Sequence, residues 1–466
     1  MKIIDRDLIS GVRHAYLIGI GGVGMSALAR VLKHRGIKVS GSDKKGNHTT
    51  AQLEREGIGV LLGQETVGLA DADLVIYSSA IKEDHPELSA ARQLGKNVHH
   101  RAEILSSLLN QAKTSVAVTG THGKTTTSSM VSFVLSELGK NPTCLVGGDV
   151  LNLGTNTVLG DLDLFISEVD ESDQTHELYA PNYAIMTNLE EDHMDHYKDM
   201  GALRGSFETF LGHLRNPGMA IYSAEDSILT ELVRQSGRPA VSFGFNASAD
   251  FSAANIDYHA FGSEFDLLEE GFFVTRFRLS IPGIHNISNA LAAISVLSQL
   301  GLDLEEIAPA LEKFKGAKRR LEIKWQSPEL VVIDDYAHHP TEVKASIRAL
   351  RSMGKHLTVV FQPHRFSRTQ HFFKEFGRSF DEADEVILTD IYSAGETNRD
   401  KIGIQSIYQE VVAWGHPHVN IVDRSRVYAH LLQQEFKNHI VAFLGAGDIG
   451  EIADEFANRF KVYTPA

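Results

Sequence analysis

Residues 115–126 read Ser-Val-Ala-Val-Thr-Gly-Thr-His-Gly-Lys-Thr-Thr, a glycine-rich turn that directly follows a β-branched run. Ser115–Thr119 has the composition of a buried strand, and the pattern of Thr125–Leu138 predicts a helix. Glycines let backbone N–H groups close on a phosphate, and the N-terminus of a helix adds a favourable partial positive charge. The stretch therefore predicts a phosphate-binding loop at Gly120–Thr126, and with it ATP binding.

The residues of this loop have separate expected roles. Lys124 can reach the β- and γ-phosphates, and the hydroxyl of Thr125 can bind Mg²⁺. The loop is shorter than the usual GxxxxGK[ST] pattern, because Val118 stands where that pattern has its first glycine. The succession of strand, loop and helix still favours nucleotide binding over a chance turn. The expected nucleotide-binding residues are Gly120, Thr121, His122, Gly123, Lys124, Thr125 and Thr126.

Short apolar runs alternate with helical patterns on both sides of the loop, which predicts parallel sheets with crossover helices. One series runs from His14–Ile20 to Ala102–Gln111, and another follows the basic stretch Lys315–Arg320. Between them, Phe251–Ser280 shows the period of antiparallel hairpins. We therefore predict an α/β protein of three domains, at residues 1–110, 111–318 and 319–466.

Composition narrows the class of partner. The chain has 466 residues, and its 45 basic and 60 acidic side chains give a formal net charge of −15. This balance argues against a broad surface for nucleic acid or anionic membrane. A single cysteine excludes an intramolecular disulfide, and no run of about 18 apolar residues is present to span a bilayer. The first ten residues lack the apolar core of a signal peptide, so we expect a cytoplasmic protein.

A second glycine turn, Gly19–Gly24, matches GxGxxG, follows the first predicted strand and precedes a helix. Asp43 stands at the end of the second predicted strand, where an acid can contact a ribose. The motif alone leaves three interpretations open. It is compatible with NAD(P) or FAD, with another nucleotide diphosphate, or with a tight turn that binds nothing.

Clusters of acids follow two predicted strands of the central series. Glu168–Asp173 begins at the last residue of the predicted strand Leu164–Glu168, and Glu190–His196 follows Tyr183–Asn188. Acids on loops are commonly solvated, but α/β sheets place Mg²⁺ ligands at strand ends beside a phosphate loop. The histidines of the second cluster do not match the HExxH pattern of zinc helices. The two clusters therefore predict a magnesium site and not a zinc site.

Polar residues also gather in the last third of the chain. Asp334–Pro340 follows the predicted strand Leu330–Ile333, and Gln362–Arg368 follows His356–Phe361. Doubly wound sheets bind ligands at such strand ends, where arginines can hold carboxylate or phosphate oxygens. Three further polar residues open a predicted helix after a Pro-Gly pair: His285, Asn286 and Asn289.

The motifs, taken in order, resemble the Mur ligase family of ATP-dependent amide ligases. The segments that carry the resemblance are Gly120–Thr126, Asp192–Asp195, Gly283–Asn289 and Asp335–Pro340. The glycine turn Gly19–Gly24 with the following Met25–Ser26, and the run Gln362–Arg368, are similar to those of the family branch that adds L-alanine. The resemblance covers essentially the whole chain. It departs from the family at Ala337, where relatives commonly have glycine.

The resemblance implies a Rossmann-like UDP-sugar domain, a central P-loop ATPase whose mostly parallel sheet carries a small antiparallel part, and a Rossmann-like C-terminal domain. It implies that Lys124, Glu168, His193 and Arg320 are catalytic, with Mg²⁺ held by Thr125, Glu168 and His193. It assigns adenine to His285, Asn286 and Asn289, and the ATP ribose to Asp335. It assigns the UDP pyrophosphate to Gly19, Gly21, Gly22, Val23 and Gly24. Uridine or the sugar is assigned to Asp43, Ser78, Ser79, His99 and Arg101, and alanine with the acyl end to Tyr336, His338, Arg365 and Arg368.

The implied reaction joins L-alanine to UDP-N-acetylmuramate through an acyl phosphate, with ATP and Mg²⁺ as cofactors. This step belongs to peptidoglycan synthesis, and hence to cell-wall biogenesis, cell shape and cell division. Ligands from all three domains imply that closure of the third completes the site. The implied oligomeric state is a monomer or weak homodimer. We expect no nucleic-acid partner and no insertion into a membrane.

Three other functions compete with this interpretation. An NAD-dependent oxidoreductase would explain Gly19–Gly24 and Asp43 but not Lys124. A non-catalytic ATP-binding switch would leave the polar strand ends of the third domain unexplained. A sister ligase that adds a different residue or a recycled peptide would share most of the motifs.

Overall fold

The computed structural model describes residues 7–63, 66–192, 194–259, 261–399 and 401–461. Strands within these ranges form three sheets of five, ten and six members, which confirms the predicted α/β class. Within the same ranges, no helix combines the length and apolar character needed to cross a bilayer.

The first sheet is parallel and is flanked by crossover helices. Its strands are β1 (His14–Ile18), β2 (Lys38–Asp43), β3 (Gly59–Leu62), β4 (Leu74–Tyr77) and β5 (Asn97–His100). Its helices are α1 (Val23–His34), α2 (His48–Arg55), α3 (Pro86–Gln93) and α4 (Arg101–Gln111), with a 3₁₀ helix at Thr66–Leu69. The spatial order is β3-β2-β1-β4-β5, so the winding direction reverses beside β1. The carboxyl ends of β1 and β4 therefore border the crevice where such sheets bind ligands.

The second sheet carries the phosphate loop. Its strands are β6 (Thr114–Thr119), β7 (Pro142–Val150), β8 (Thr155–Val158), β9 (Asp161–Glu168), β10 (Tyr183–Met186), β11 (Met219–Ser223), β12 (Ala240–Gly244), β13 (Phe251–His259), β14 (Gly262–Glu269) and β15 (Phe272–Leu279). Its helices are α5 (Lys124–Glu137), α6 (Met194–Tyr197), α7 (Met200–Gly212), α8 (Ser227–Ser236), α9 (Ile284–Gln299) and α10 (Leu304–Glu312), with a 3₁₀ helix at Thr175–Leu178.

Strand β6 lies between β10 and β9 and is parallel to both. At the edges, β8 runs antiparallel to β7, and β14 meets β15 through a two-residue turn. Both turn residues, Glu270 and Gly271, have positive φ, as the type I′ turn of a hairpin requires. The predicted mostly parallel sheet with an antiparallel part is thus confirmed.

The third sheet follows the same parallel plan with one antiparallel edge strand. Its strands are β16 (Glu322–Gln326), β17 (Leu330–Asp335), β18 (His356–Phe361), β19 (Glu385–Leu388), β20 (Val419–Ile421) and β21 (His439–Leu444). Its helices are α11 (Pro340–Arg351), α12 (Phe366–Phe376), α13 (Ile404–Trp414), α14 (Arg424–Leu431) and α15 (Ile449–Lys461). The order is β16-β17-β21-β18-β19-β20, with β16 antiparallel to β17.

The chain packs as two compact units. One contains Met1–Ala254, Asp266–Thr275 and Ser288–Leu311, so it holds the first sheet and most of the second. The other contains Asn255–Phe265, Arg276–Ile287 and Glu312–Ala466, so it holds the third sheet.

Helix α5 is buried although it is rich in serine and threonine. Every residue from Thr125 to Leu135 is buried. The hydroxyl of Ser129 donates to the carbonyl of Thr125 at 2.6 Å, and Ser132 donates to Ser128 at 2.7 Å. Hydroxyls that return to the preceding turn need no water, so a polar helix can lie inside the unit and hold the loop at its N-terminus.

The structure corrects one predicted strand end and adds strands that the pattern did not reveal. We placed Asp334 and Asp335 after the strand Leu330–Ile333, but both lie inside β17. Each buried acid has a partner there, because Arg319 Nε lies 3.3 Å from Asp334 Oδ2 and Ser346 donates to Asp335. Strands β3 and β5 were missed, since they are short and largely exposed or half-buried.

Arg215 donates hydrogen bonds to the segment of chain that connects the first two sheets. Its Nη1 donates to the carbonyls of Asn110 and Ala112, both at 2.9 Å, and its Nη2 donates to Ser115 Oγ at 2.7 Å. These acceptors lie in the last turn of α4, on the short connection that follows it, and in β6. One guanidinium thus fixes how the chain enters the phosphate-loop strand.

Arg215→Ala is expected to lower the free energy of unfolding by about 2–3 kcal/mol, because several acceptors lose a charged donor. Arg215→Lys should recover only part of this loss, since one ammonium cannot span the same acceptors. Urea denaturation followed by circular dichroism measures the difference. Arg234→Ala, at an exposed position of α8, is the control and should leave the midpoint nearly unchanged. An unchanged midpoint for Arg215→Ala would contradict the assignment.

Candidate functional site

The phosphate loop lies between β6, which ends at Thr119, and α5, which begins at Lys124. Gly123 precedes the helix with φ 83°, and a Cβ there would lie 2.3 Å from Asn289 Oδ1. Glycine is therefore required at this position for both its backbone angle and its close approach. The first amides of α5 are free of helix partners, and this is the arrangement that binds phosphate.

Residues that follow β10 hold the loop in place. The amide of His122 donates to Asn188 Oδ1 at 2.8 Å, and the amide of Thr121 donates to the Asn188 carbonyl at 3.0 Å. Thr187 Oγ1 donates to the His122 carbonyl, and Thr121 Oγ1 accepts from the amide of Glu190 at 2.9 Å. We did not predict Thr187 or Asn188, because no local signal links them to a loop about 66 residues earlier.

Lys124 points into the loop and toward an acid. Its Nζ donates to the carbonyls of Gly120 at 2.7 Å and Thr121 at 3.1 Å, and to Glu171 Oε1 at 3.0 Å. Burial disfavours its charged form, but the carboxylates of Glu171, Asp170 and Glu168 act in the opposite direction and raise the Lys124 pKa. Lys124 is therefore a charged ammonium at neutral pH, as phosphate binding requires.

Two side chains with oxygen donors converge at the start of α5. Thr125 Oγ1 lies 3.2 Å from Glu168 Oε1, at the end of β9. The other carboxylate oxygen of Glu168 accepts from the amide of Gly147 at 2.8 Å, which fixes the side chain. A hydroxyl and a carboxylate beside a phosphate loop form a donor set that fits Mg²⁺. The remaining predicted metal ligand, His193, lies outside the described residues.

Helix α9 brings a further predicted residue to the loop. Asn289 Oδ1 accepts from Thr127 Oγ1 at 3.3 Å, so this amide lies against the first turns of α5. Near the start of α9, Asn286 Nδ2 donates to the Pro282 carbonyl at 2.7 Å. Burial lowers the pKa of His285 to about 4, so its ring is neutral. Thr126 is buried within α5.

The first glycine turn folds around its own acid. The amides of Gly19 and Ile20 donate to the Ser42 carbonyl at 2.8 and 2.9 Å, and the amide of Gly21 donates to Asp43 Oδ2 at 2.9 Å. Asp43 thus fixes the turn from the end of β2. Gly22 precedes α1, and Val23, its first residue, is 52% exposed beside the turn.

Arg101 lies directly against the glycine turn. A Cβ on Gly24 would stand 2.3 Å from Arg101 Nη1, so the guanidinium would have to move if any other residue stood there. The cation at the start of α4 and the N-terminus of α1 both favour a negatively charged ligand. His99, at the end of β5, lies with its Nδ1 3.3 Å from Glu103. Ser78 follows β4, and its carbonyl accepts from the amide of Ile81.

Ser79 connects the first sheet with the acid cluster of the second. Its Oγ donates to Asp173 Oδ2 at 2.5 Å and lies 3.1 Å from His100 Nε2. The other Asp173 oxygen accepts from Thr175 Oγ1 at 2.6 Å. We did not predict this link, although Asp173 belongs to the cluster Glu168–Asp173 that the sequence singled out.

In the second unit, aromatic and basic side chains gather at the ends of β17 and β18. The ring centroids of Tyr336 and His338 lie 5.4 Å apart, those of His338 and His364 lie 5.7 Å apart, and Arg368 Nη1 lies 3.5 Å from His364 Nδ1. Burial lowers the pKa of His338 to about 3 and that of His364 to about 4, so both rings are neutral. We did not predict His364 as a site residue, although it stands in the run Gln362–Arg368.

Other predicted residues border this group. The Arg320 guanidinium lies 5.2 Å from the centroid of the Tyr336 ring. Arg365 precedes α12 with φ 70°, a strained angle for this residue type. Burial raises the pKa of Asp335. Ala337 is 1% exposed, packs in the core and lacks positive φ, so its methyl group is accommodated without strain.

Family models match nearly the whole chain. Residues 14–113 match the Mur ligase family catalytic domain, and residues 118–297 match the Mur ligase middle domain. Residues 319–447 match the Mur ligase, glutamate ligase domain.

Individual relatives match over similar lengths. The chain is 39% identical to the UDP-N-acetylmuramate–L-alanine ligase of Aquifex aeolicus over 97% of this chain and 98% of the relative. It is 39% identical to the enzyme of that name from Gloeobacter violaceus over 96% and 95%. The solved structure of the UDP-N-acetylmuramate–alanine ligase MurC of Thermotoga maritima superposes with a TM-score of 0.83 at 30% identity, covering 97% of this chain and 100% of that one. These matches, together with the geometry of the phosphate loop, show that the chain belongs to the Mur ligase family.

Proposed function

We propose that this chain is an ATP-dependent ligase that joins L-alanine to the carboxylate of UDP-N-acetylmuramate. The observation that carries the proposal is the convergence of Lys124, Thr125 and Glu168 at the N-terminus of α5. The substrates are those named for relatives that share 39% identity over almost the full length. The product would enter peptidoglycan synthesis, and the reaction would take place in the cytoplasm.

The proposed chemistry makes a poor acyl donor reactive. A carboxylate oxygen of the sugar substrate attacks the γ-phosphorus of ATP, and ADP leaves. The α-amine of L-alanine then attacks the carbonyl carbon of this acyl phosphate, loses a proton, and displaces inorganic phosphate. In such a reaction the protein mainly positions anionic groups and balances their charge.

Lys124 would balance charge on the β- and γ-phosphates, and the loop Gly120–Thr126 would hold these phosphates. Thr125 and Glu168 would bind one Mg²⁺, and Glu168 with His193 a second. The metal would supply positive charge between the anionic carboxylate and phosphate. Carboxylates outnumber the ammonium beside the phosphate loop: the charges of Glu168, Asp170 and Glu171 all act on Lys124. This excess of negative charge supports a requirement for cations when ATP binds.

The remaining residues would hold the other parts of the substrates. The glycine turn Gly19–Gly24 would bind the UDP pyrophosphate, with Arg101 as its cation. The set that would contact uridine or the sugar is Asp43, Ser78, Ser79, His99 and Arg101. In the other unit, Arg320, Asp335, Tyr336, His338, Arg365 and Arg368 would serve the ATP ribose and phosphates, alanine and the acyl end. The set that would border adenine is His285, Asn286 and Asn289. This proposed division would follow three domains, at 1–110, 111–318 and 319–466.

Phosphate release with UDP-N-acetylmuramate and ATP should be fastest with L-alanine. Glycine lacks one methyl group, which a fitted pocket distinguishes by about 10–200-fold in kcat/KM. The assay compares alanine, glycine, serine and a peptide that begins with alanine. Faster turnover with the peptide would replace the proposal with a sister ligase, and turnover without any amine would remove the ligase assignment.

Lys124→Ala should abolish ATP-dependent amide formation, with a fall in kcat/KM of at least about 100-fold, because a preorganised charge is lost. Binding of UDP-N-acetylmuramate, measured by calorimetry, should stay close to wild type. Lys113→Ala removes an exposed lysine that pairs with Asp163 on the surface and is the matched control. Near-normal turnover of Lys124→Ala would refute the assigned role.

Glu168→Gln should raise the half-saturating Mg²⁺ concentration by on the order of tenfold or more, since an amide is a weaker ligand than a carboxylate. The measurement is a magnesium titration of phosphate release at saturating ATP. Asp163→Asn makes the same chemical change on strand β9 but at the surface, and its titration should match wild type. A Glu168→Gln titration that also matched wild type would exclude Glu168 as a ligand.

A further inference from the structure

Glu171 lies beside the phosphate loop and is 2% exposed. Its carboxylate oxygens lie 3.0 and 2.9 Å from Lys124 Nζ. The backbone around it is also fixed, because the hydroxyl of the buried Tyr197 and the amide of Gln174 both donate to the Glu171 carbonyl. The backbone that carries the carboxylate is thus fixed beside Lys124.

The contacts of Lys124 make Glu171 a competitor of phosphate. An ammonium group has three donors, and here they meet the carbonyls of Gly120 and Thr121 and the carboxylate of Glu171. A phosphate oxygen that binds Lys124 must replace one of these three acceptors or share an N–H donor with it. The two carbonyls belong to the loop that itself holds the phosphates. The carboxylate is the partner whose negative charge the phosphate duplicates, so it is the one that gives way.

We propose that Glu171 is a positioning residue that exchanges Lys124 with the phosphates, holding the ammonium before nucleotide binds and recapturing it when products leave. This inference rests on the proposed function, because it requires ATP in the loop. A buried ammonium without a counter-ion is strongly unfavourable, so the pair stabilises the loop when no nucleotide is present. Burial raises the pKa of Glu171 to about 7 although Lys124 opposes this, so a Glu171 that has lost Lys124 can take up a proton.

Glu171→Gln keeps the size of the side chain and removes the competing charge. Its dissociation constant for Mg·ADP, measured by calorimetry, should fall by roughly tenfold, a modest share of the interaction between two close unit charges. AMP lacks the β- and γ-phosphates that Lys124 would contact, so its affinity should not change. In steady state, KM for ATP and kcat should both fall, because the unopposed lysine retains ADP. Glu171→Asp keeps the charge but holds it one methylene further from Lys124. Its dissociation constant for Mg·ADP should therefore lie between those of the wild type and Glu171→Gln.

Asp163→Asn is the matched control, and thermal unfolding of each variant without nucleotide checks the fold. Weaker ADP binding by Glu171→Gln, unchanged ADP binding, or equal tightening of AMP would each overturn the inference. Failure of the wild-type protein to bind Mg·ADP would instead refute the proposed function. The two failures are therefore distinguishable in one set of titrations.

Discussion

The phosphate loop depends on its hydrogen bonds to the residues that follow strand β10. Asn188 accepts one loop amide through its side chain and another through its carbonyl, and Thr187 donates to the carbonyl of His122. These bonds fix the path of residues 120–123 from outside the loop. The free amides at the start of α5, the carbonyls that hold Lys124, and the Thr125 hydroxyl all take their positions from this path.

The second constraint is charge. One ammonium lies among the carboxylates of Glu168, Asp170 and Glu171, and both proposed substrates in this region are anions. Electrostatic repulsion would keep a sugar-linked carboxylate away from a triphosphate unless cations lie between them. The Thr125–Glu168 pair fits that requirement as a metal site, whereas Glu171 faces the ammonium. Acids only a few residues apart thus have different partners, because β9 ends between them.

Local sequence signals predicted most of the fold but few of the contacts across it. The strand, turn and helix around Gly120 and the glycine turn at Gly19 are patterns within about 20 residues, and both occur as predicted. The partners Thr187, Asn188 and Asp173 lie far along the chain from what they bind, and nothing in a single sequence pairs such residues. Strand β5 was missed for a related reason, since Asn97–His100 gains its conformation from pairing with β4 and not from an apolar pattern.

The acid segment after β9 shows how one strand end can serve two sites. Glu168 meets Thr125 at the start of α5, Glu171 meets Lys124, and Asp173 accepts a hydrogen bond from Ser79 of the first sheet. An amide ligase must bring a carboxylate on one substrate to the γ-phosphate of another, within the approach distance of reacting atoms. The segment Glu168–Asp173 therefore connects the phosphate loop with a residue of the first sheet's unit at Ser79, and all of these residues lie in one compact unit. The proposed reaction would use this link, because it joins the residues that follow β4 to the segment that contacts the phosphate loop.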